Sequence, residues 1–341
     1  MADWPDIIHT EEELDEVQSR PSPALVEFMK HLDGDILILG AGGKVGPTLA
    51  RMARRAIVAA GVAKEVLAVG RRPMESLRRD GIRTLECDLL DLAAVERLPR
   101  VPNVIYMAGR KFGSTGDEPT TWAANCIVPY HVARTFTGSR IASFSTGNVY
   151  PLVEVARGPA TEETPPGPIG EYSMSCLGRE RMFDYISKAT GEKVVHLRLS
   201  YAVELRYGVI VDIAWKVWRG EPIDLSVGWA NLIWQGDSCD HSIRSLAVAA
   251  RPPAILNITG PVAVSVREMA ETFGRLLGKK PLLAGRETGK AFVSSAAKAT
   301  ALFGPPRVTV EQMARWIAHW VQAGGRNLGK PTHFEVKDGK Y

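Results

Sequence analysis

The stretch DILILGAGGKVGPTLARMARRAIVAAG, residues 35–61, decides the fold. DILILG (35–40) is a short apolar run of the kind shown by a strand buried on both faces of a parallel sheet. The glycines that follow, Gly40, Gly43 and Gly46, stand three apart between that strand and a helical segment. One permits a tight turn, one lets the backbone approach a pyrophosphate closely, and one lets the helix pack on the sheet. The free N–H groups and positive dipole end of such a helix face an anion. The turn therefore predicts a dinucleotide site built from Gly40, Gly42, Gly43, Lys44, Val45 and Gly46.

Outward from this turn the chain repeats the pattern. EVLAVG (65–70), RTLECDL (83–89), NVIYMAG (103–109), RIASFST (140–146) and KVVHLRLS (193–200) read as five more strands, most of them separated by helical patterns. Alternating strands and helices of this kind predict a doubly wound, Rossmann-type α/β sheet over residues 35–200. Residues 10–31 read as two short helices broken at RPSP, within an N-terminal extension of residues 1–34. Past residue 200 the alternation fades; VIVDIAWKVWRGEP, DSCDHSIRSLAVAA and SVREMAETFGRLLG look helical, with short extended pieces such as AILNITG between them. Residues 201–341 are accordingly expected to form mainly a smaller mixed lobe that selects the substrate over the carboxyl ends of the strands.

The end of the second strand bears on which dinucleotide binds. NAD sites place a carboxylate there for the ribose hydroxyls, whereas this chain has Gly70 followed by Arg71 and Arg72. An acid would repel an extra phosphate and a guanidinium can grip it, so NADP(H) is favoured and NAD(H) stays open. A net charge of +4 spread over 341 residues argues against nucleic acid as a partner. The four cysteines, Cys87, Cys126, Cys176 and Cys239, stand far apart and suggest neither a metal site nor a disulfide framework. No apolar stretch is long enough for a membrane span, and the acidic, polar start is unlike a signal peptide, so a cytoplasmic location is expected.

With these motifs in order from about residue 35 to 285, the sequence resembles the extended short-chain dehydrogenase/reductase family of nucleotide-sugar epimerases and dehydratases. CDLLD resembles the segment that family members place near the adenine, which implies roles for Asp88 and Leu89. VIYMAGRKFG resembles the fourth strand and cofactor-flanking loop, with Ala108 and Gly109 at the cofactor. NCIVPYHVAR is similar to the helix that begins with an active-site asparagine, here Asn125. FSTGNVYP matches S-[ST]-x-x-V-Y and puts Thr146 at the catalytic hydroxyl position with Ser145 beside it. The resemblance further implies a homodimer built on the helices that begin near Asn125 and Tyr172.

GEYSMSCLGRE (170–180) departs from the family's Y-x-x-x-K, because Cys176 stands four residues after Tyr172. A lysine one turn on would stabilise phenolate and hold the nicotinamide ribose; a cysteine does neither. Three readings follow. Another cation substitutes, with Lys111 preferred over Arg179, which lies two turns away; or Tyr172 works as a neutral acid in different chemistry; or the chain binds a dinucleotide as a sensor or scaffold. Cys176 itself reads as packing more readily than as a nucleophile, since no Cys–His pairing is apparent. The first reading is an NADP(H)-dependent oxidoreductase or epimerase on a small hydroxylated, sugar-like substrate; the alternative is a dinucleotide-binding protein with non-redox, lyase-like chemistry. Trp215, Trp218, Trp229, Trp234, Tyr201 and Tyr207 offer rings for the substrate or the lobe's core, and Arg206 and Gln235 offer polar contacts.

Overall fold

The computed structural model describes residues 4–340. Its centre is a parallel sheet of seven strands: β1 (Ile36–Leu39), β2 (Val66–Gly70), β3 (Arg83–Glu86), β4 (Asn103–Tyr106), β5 (Arg140–Thr146), β6 (Lys193–Leu199) and β7 (Ala254–Ile258). They lie in the order β7-β6-β5-β4-β1-β2-β3, so the chain reverses direction across the sheet between β1 and β4. At such a switch point the loops leaving the two strands diverge and open a crevice.

Alternation along the strands explains the two covered faces. Ile36 and Ile38 pack with helix α3 (Gly46–Ala60), whose Leu49, Ala53 and Ile57 are buried there. Leu37 and Leu39 face the other way, against α4 (Val128–Thr135) and α5 (Gly170–Thr190) through Val132, Phe136 and Phe183. Both layers are needed because a parallel sheet exposes two apolar faces.

The sequence pattern predicts six strands and seven are present. AILNITG, which reads as a piece of the smaller lobe, supplies β7, which pairs in parallel with β6 from Ala254 opposite Val195 to Ile258 opposite Leu199. The C-terminal lobe has its own core, where α6 (Val209–Arg219), α8 (Val266–Leu277) and α9 (Val310–Gln322) pack together. Trp234 and Trp316 are fully buried in it. Between them in sequence, α7 (Gln235–Arg244) returns to the sheet and packs on α3.

The segment ahead of β1 holds two helices, α1 (Glu11–Gln18) and α2 (Pro23–His31), capped by Thr10 and Ser22. The segment binds both parts of the molecule: Ile8, ahead of α1, enters the C-terminal lobe's core with Leu14 and Val17, and Leu25 and Met29 pack on α3. Arg51 and Arg55 of α3 pair with Asp15 and Glu16. No helix among the described residues is long and apolar enough to cross a membrane.

Candidate active site

The three glycines divide the work as their spacing suggests. Gly40 has φ +92, and a Cβ there would lie 2.6 Å from the Ala108 nitrogen, so β1 and β4 end in direct backbone contact. A Cβ on Gly46 would stand 2.2 Å from the Ala41 carbonyl oxygen, so only glycine lets α3 start this close to the turn. At Gly43 the tightest contact would be 3.4 Å, which leaves the turn's outer side open to an approaching group. Arg71 and Arg72 are exposed just beyond β2, and Met74 covers Gly70. Asp88 is exposed, its carboxylate accepting from the Leu90 N–H, while Leu89 is buried.

From Ala108 the contacts continue inward. A Cβ on Gly109 would lie 2.2 Å from Arg179 Nη2 and 3.0 Å from Asn125 Oδ1, so a second close approach fixes where those two side chains meet. Asn125 sits in a π-helical turn, Ala123–Ile127, with no exposed surface. Pro129 lacks the N–H that would bond the Asn125 carbonyl, which favours the wider turn there. The amide of Asn125 is fully used: its Oδ1 accepts from the Arg110 N–H at 3.0 Å and from Arg179 Nη2 at 2.6 Å. Its Nδ2 donates to the Arg110 carbonyl at 3.0 Å and to the Ser175 hydroxyl at 2.9 Å. It therefore ties the loop after β4 to α5.

Tyr172 lies in the first turn of α5, its hydroxyl hydrogen-bonded to the side chains of Thr146 and Cys176. Thr146 is the last residue of β5, and its hydroxyl also accepts from the Asn148 N–H at 3.2 Å. Ser145 does not join them. Strand alternation turns it toward α5, where its hydroxyl donates to Glu180 at 2.6 Å beside a buried Glu180–Arg198 ion pair at 2.8 Å.

Burial holds the Tyr172 phenol well above the usual tyrosine range, the neighbouring Cys176 adding to this and the Arg179 charge opposing it. Burial likewise raises the Cys176 thiol, which is fully enclosed and stays neutral; the thiolate that would oppose Tyr172 ionisation does not form at ordinary pH. Two cations approach the phenol. Lys111 Nζ is 5.8 Å from the Tyr172 ring centroid, held by the Thr332 carbonyl at 3.3 Å, and burial brings its pKa down to about 8. Arg179 is buried, donates to the Phe144 carbonyl at 2.7 Å and remains charged.

The Arg179 charge opposes the rise of the tyrosine's pKa, and Lys111 stands beside its ring. The distance argued against Arg179 counts helical rise from Cα to Cα, and its side chain reaches back over part of that distance. Helical side chains lean toward the N-terminus, so the Arg179 guanidinium lies upstream of its own Cα, where it meets Asn125 Oδ1 and the Phe144 carbonyl.

The polar contacts expected from Arg206 and Gln235 are spent within the protein. Arg206 pairs with Glu11 at 2.7 Å, Asp15 at 3.1 Å and Glu204 at 3.0 Å. Gln235 is buried and donates to Gln18 and Thr48. Among the expected rings, Tyr207 faces the glycine turn, where Lys44 Nζ lies 2.7 Å from its centroid.

A strap missed in the sequence crosses this region. Thr332 donates through its N–H and hydroxyl to Asp212 at 2.8 and 2.6 Å, and Phe334 is buried in the lobe's core. Gly339 then passes over Gly170; a Cβ on Gly170 would meet the Gly339 carbonyl oxygen at 2.5 Å. Polar, proline-containing sequence with no periodicity gives no sign of this path.

Residues 36–203 match the model of the NAD dependent epimerase/dehydratase family. The fold is similar to that of MoeE5 solved with UDP-glucuronic acid and NAD, at a TM-score of 0.71 and 21% identity over 85% of this chain and 100% of that one. UDP-glucose 4-epimerase of Thermotoga maritima, solved with UDP-glucose, gives 0.69 at 18% identity over 85% and 99% of the two chains. DesIV, the dTDP-glucose 4,6-dehydratase of Streptomyces venezuelae solved with NAD, gives 0.71 at 18% over 84% and 97%. No curated protein matches the chain by sequence.

Proposed function

Residues 36–203 belong to the NAD dependent epimerase/dehydratase family, and from that premise we propose an NAD(P)-dependent oxidoreductase or epimerase acting on a small hydroxylated, sugar-like substrate. The observation that carries the reading is an unbroken series of close contacts. It runs from the glycine turn through Ala108 and Gly109 to Arg179 and Asn125, from Asn125 to the Ser175 hydroxyl, which donates to the Tyr172 carbonyl, and so to the turn of helix that sets the Tyr172 hydroxyl on Thr146.

The residues of the glycine turn, with Ala108 and Gly109, fit a dinucleotide and would hold its pyrophosphate at the N-terminus of α3. When bound, the nicotinamide supplies hydride transfer. Thr146 and Tyr172 hold the oxygen of the reacting carbon. Because the phenol stays protonated, Tyr172 serves as a hydrogen-bond donor and acid toward a carbonyl oxygen as that oxygen gains charge. Arg179 favours the charge left on the phenol oxygen, the electrostatic part of what a lysine at position 176 would supply. Asn125 fixes Arg179 and the Arg110 backbone in position. The arrangement suits carbonyl reduction better than alcohol oxidation, which needs phenolate at the outset.

Gly70, Arg71 and Arg72 support NADP(H), whereas solved neighbours named with NAD support NAD(H). Two measurements test the proposal: mass spectrometry of any co-purifying nucleotide, and quenching of tryptophan fluorescence on titration with NADPH and NADH. Saturation by one of them is expected. Failure of both to bind would remove the basis of every role assigned above.

A further inference from the structure

The end of β5 is paired on one side only. β4 accompanies it from Arg140 to Ser143, which lies opposite Tyr106, whereas β6 runs beside it as far as Thr146, opposite Leu199. Phe144, Ser145 and Thr146 therefore overhang the β4 ladder, and Thr146 is the residue that meets the Tyr172 hydroxyl. A strand end held by one ladder has half the usual backbone restraint, and a misplacement of about 1 Å near reacting groups costs about a hundredfold in rate.

Helix α5 takes the place of the missing ladder. Arg179 Nη1 donates to the Phe144 carbonyl at 2.7 Å, and Glu180 accepts from the Ser145 hydroxyl at 2.6 Å. Consecutive residues of the helix thus hold consecutive residues of the strand, and the next strand residue, Thr146, meets Tyr172 of the same helix. Glu180 is itself fixed from the neighbouring strand. Arg198 stands directly opposite Ser145 in the β5–β6 register and donates to both oxygens of Glu180, at 3.0 and 2.8 Å. The Tyr150 ring covers the Arg198 guanidinium at 4.7 Å, and its hydroxyl donates to Asn257 of β7 at 2.8 Å. Ser145 is 7% exposed and Glu180 and Arg198 1% each, so solvent does not screen these bonds. Burial opposes ionisation of Glu180, but the bonds from Arg198 outweigh it and hold the carboxyl below its ordinary range. A charged acceptor makes the Ser145 bond a short, strong one.

We propose that Glu180 is a positioning residue: through Ser145 it fixes the overhanging end of β5 to α5 and so keeps the Thr146 hydroxyl on the Tyr172 phenol. Ser145, turned away from the phenol, acts through its neighbour. This role rests on the active-site reading above and deepens it.

The test is single-turnover reduction of glyceraldehyde by protein saturated with whichever of NADPH or NADH binds. Ser145→Ala removes the tether and leaves the Glu180–Arg198 pair whole. Its rate at saturating glyceraldehyde should fall about tenfold, with dinucleotide affinity and the glyceraldehyde KM within about twofold of the parent's. Ser145→Thr, which keeps the hydroxyl, should return the rate to within about threefold of the parent. The paired variant Glu180→Leu/Arg198→Met removes both buried charges at similar volume, a change that leaves folding intact. It should be as slow as Ser145→Ala, and adding Ser145→Ala to it should slow it no further. A tether that only stabilises the fold would lower the melting temperature of Ser145→Ala and leave its rate alone. The proposal is overturned if folded Ser145→Ala keeps the parent's rate, or if Ser145→Ala slows the paired variant as much as it slows the parent. A parent protein that takes up no dinucleotide, or takes it up and reduces no glyceraldehyde, defeats the active-site reading on which the proposal rests, which separates the two failures.

Discussion

Replacing Arg179 by methionine should slow proton donation by Tyr172, and a lysine at position 176 should restore it only when Arg179 is gone. An opposite charge that holds a phenol's pKa down by about two units is worth roughly 3 kcal/mol. That corresponds to about a hundredfold in a step that leaves negative charge on the oxygen. The sign follows from the charge: the guanidinium favours phenolate, so its removal makes the phenol a weaker acid. The fold should survive. Methionine fills much of the space, and the lost bonds to Phe144 and Asn125 are offset in part by no longer burying a charge, leaving a cost of about 2 kcal/mol. Cys176→Lys alone should fail, because the site is fully enclosed and already borders one guanidinium. Overpacking there costs about 1–3 kcal/mol and like-charge repulsion adds a similar amount. In the double variant the charge moves and is not duplicated, and at least about tenfold of the lost rate should return. The assay is single-turnover reduction of a test carbonyl compound across neutral to alkaline pH. Phenolate difference absorption gives a readout that a purely structural role would leave unmoved. If folded Arg179→Met keeps the parent rate and phenol titration, or the double variant does no better than Arg179→Met, the reasoning fails.

Gly109→Ala should reproduce the Arg179→Met phenotype, since its Cβ would occupy the place of Arg179 Nη2; a normal rate and pH profile would show that this approach is not needed. If Arg71 recognises an extra phosphate, Arg71→Ala should weaken NADPH about tenfold and leave NADH unchanged, and equal affinities for the two in the parent protein would remove that role. Met174 and Tyr185 are 44% and 63% exposed and eleven residues apart on α5, hence on one stripe, which accords with a homodimer packed on this helix. Sedimentation should give a dimer that Tyr185→Asp dissociates, and a monomeric parent protein would refute it. His241, packed on Phe303 with Asp240, Arg244 and Arg307 nearby, is pushed by burial from 6.5 down to about 4. A depressed histidine lends stability that is full above 6.5 and is lost as pH falls toward 4, at up to about 1.4 kcal/mol per pH unit. Urea melts should show that slope and His241→Gln should flatten it; equal slopes would exclude His241 as its source.

What the sequence made legible was local, and what it hid depended on reach. The glycine spacing could be read because three small residues, one strand and one helix lie within a single turn of chain, and each contact they make is with its neighbours. β7 could not, because AILNI gains its meaning only by pairing with a strand about sixty residues earlier, and no local pattern encodes a parallel partner at that distance. Ser145 and Thr146 show a narrower limit. A strand places adjacent residues on opposite faces, so one of the two had to leave the site, yet the motif alone does not say which face holds the acidic partner. Arg179 and Lys111 can both be named from the sequence as cations for Tyr172, but a spacing rule underrates the reach of Arg179. Searching one turn after the tyrosine is right for a side chain that points outward from its own Cα. It misses one that runs back along the helix under a loop that glycine has kept clear. Gly109 and Arg179 are separated in sequence but form one arrangement: the missing Cβ leaves the room in which the guanidinium lies. A chain that lacks the expected lysine has not thereby lost its buried charge. The place to look for it is wherever a glycine clears a path for a longer cation.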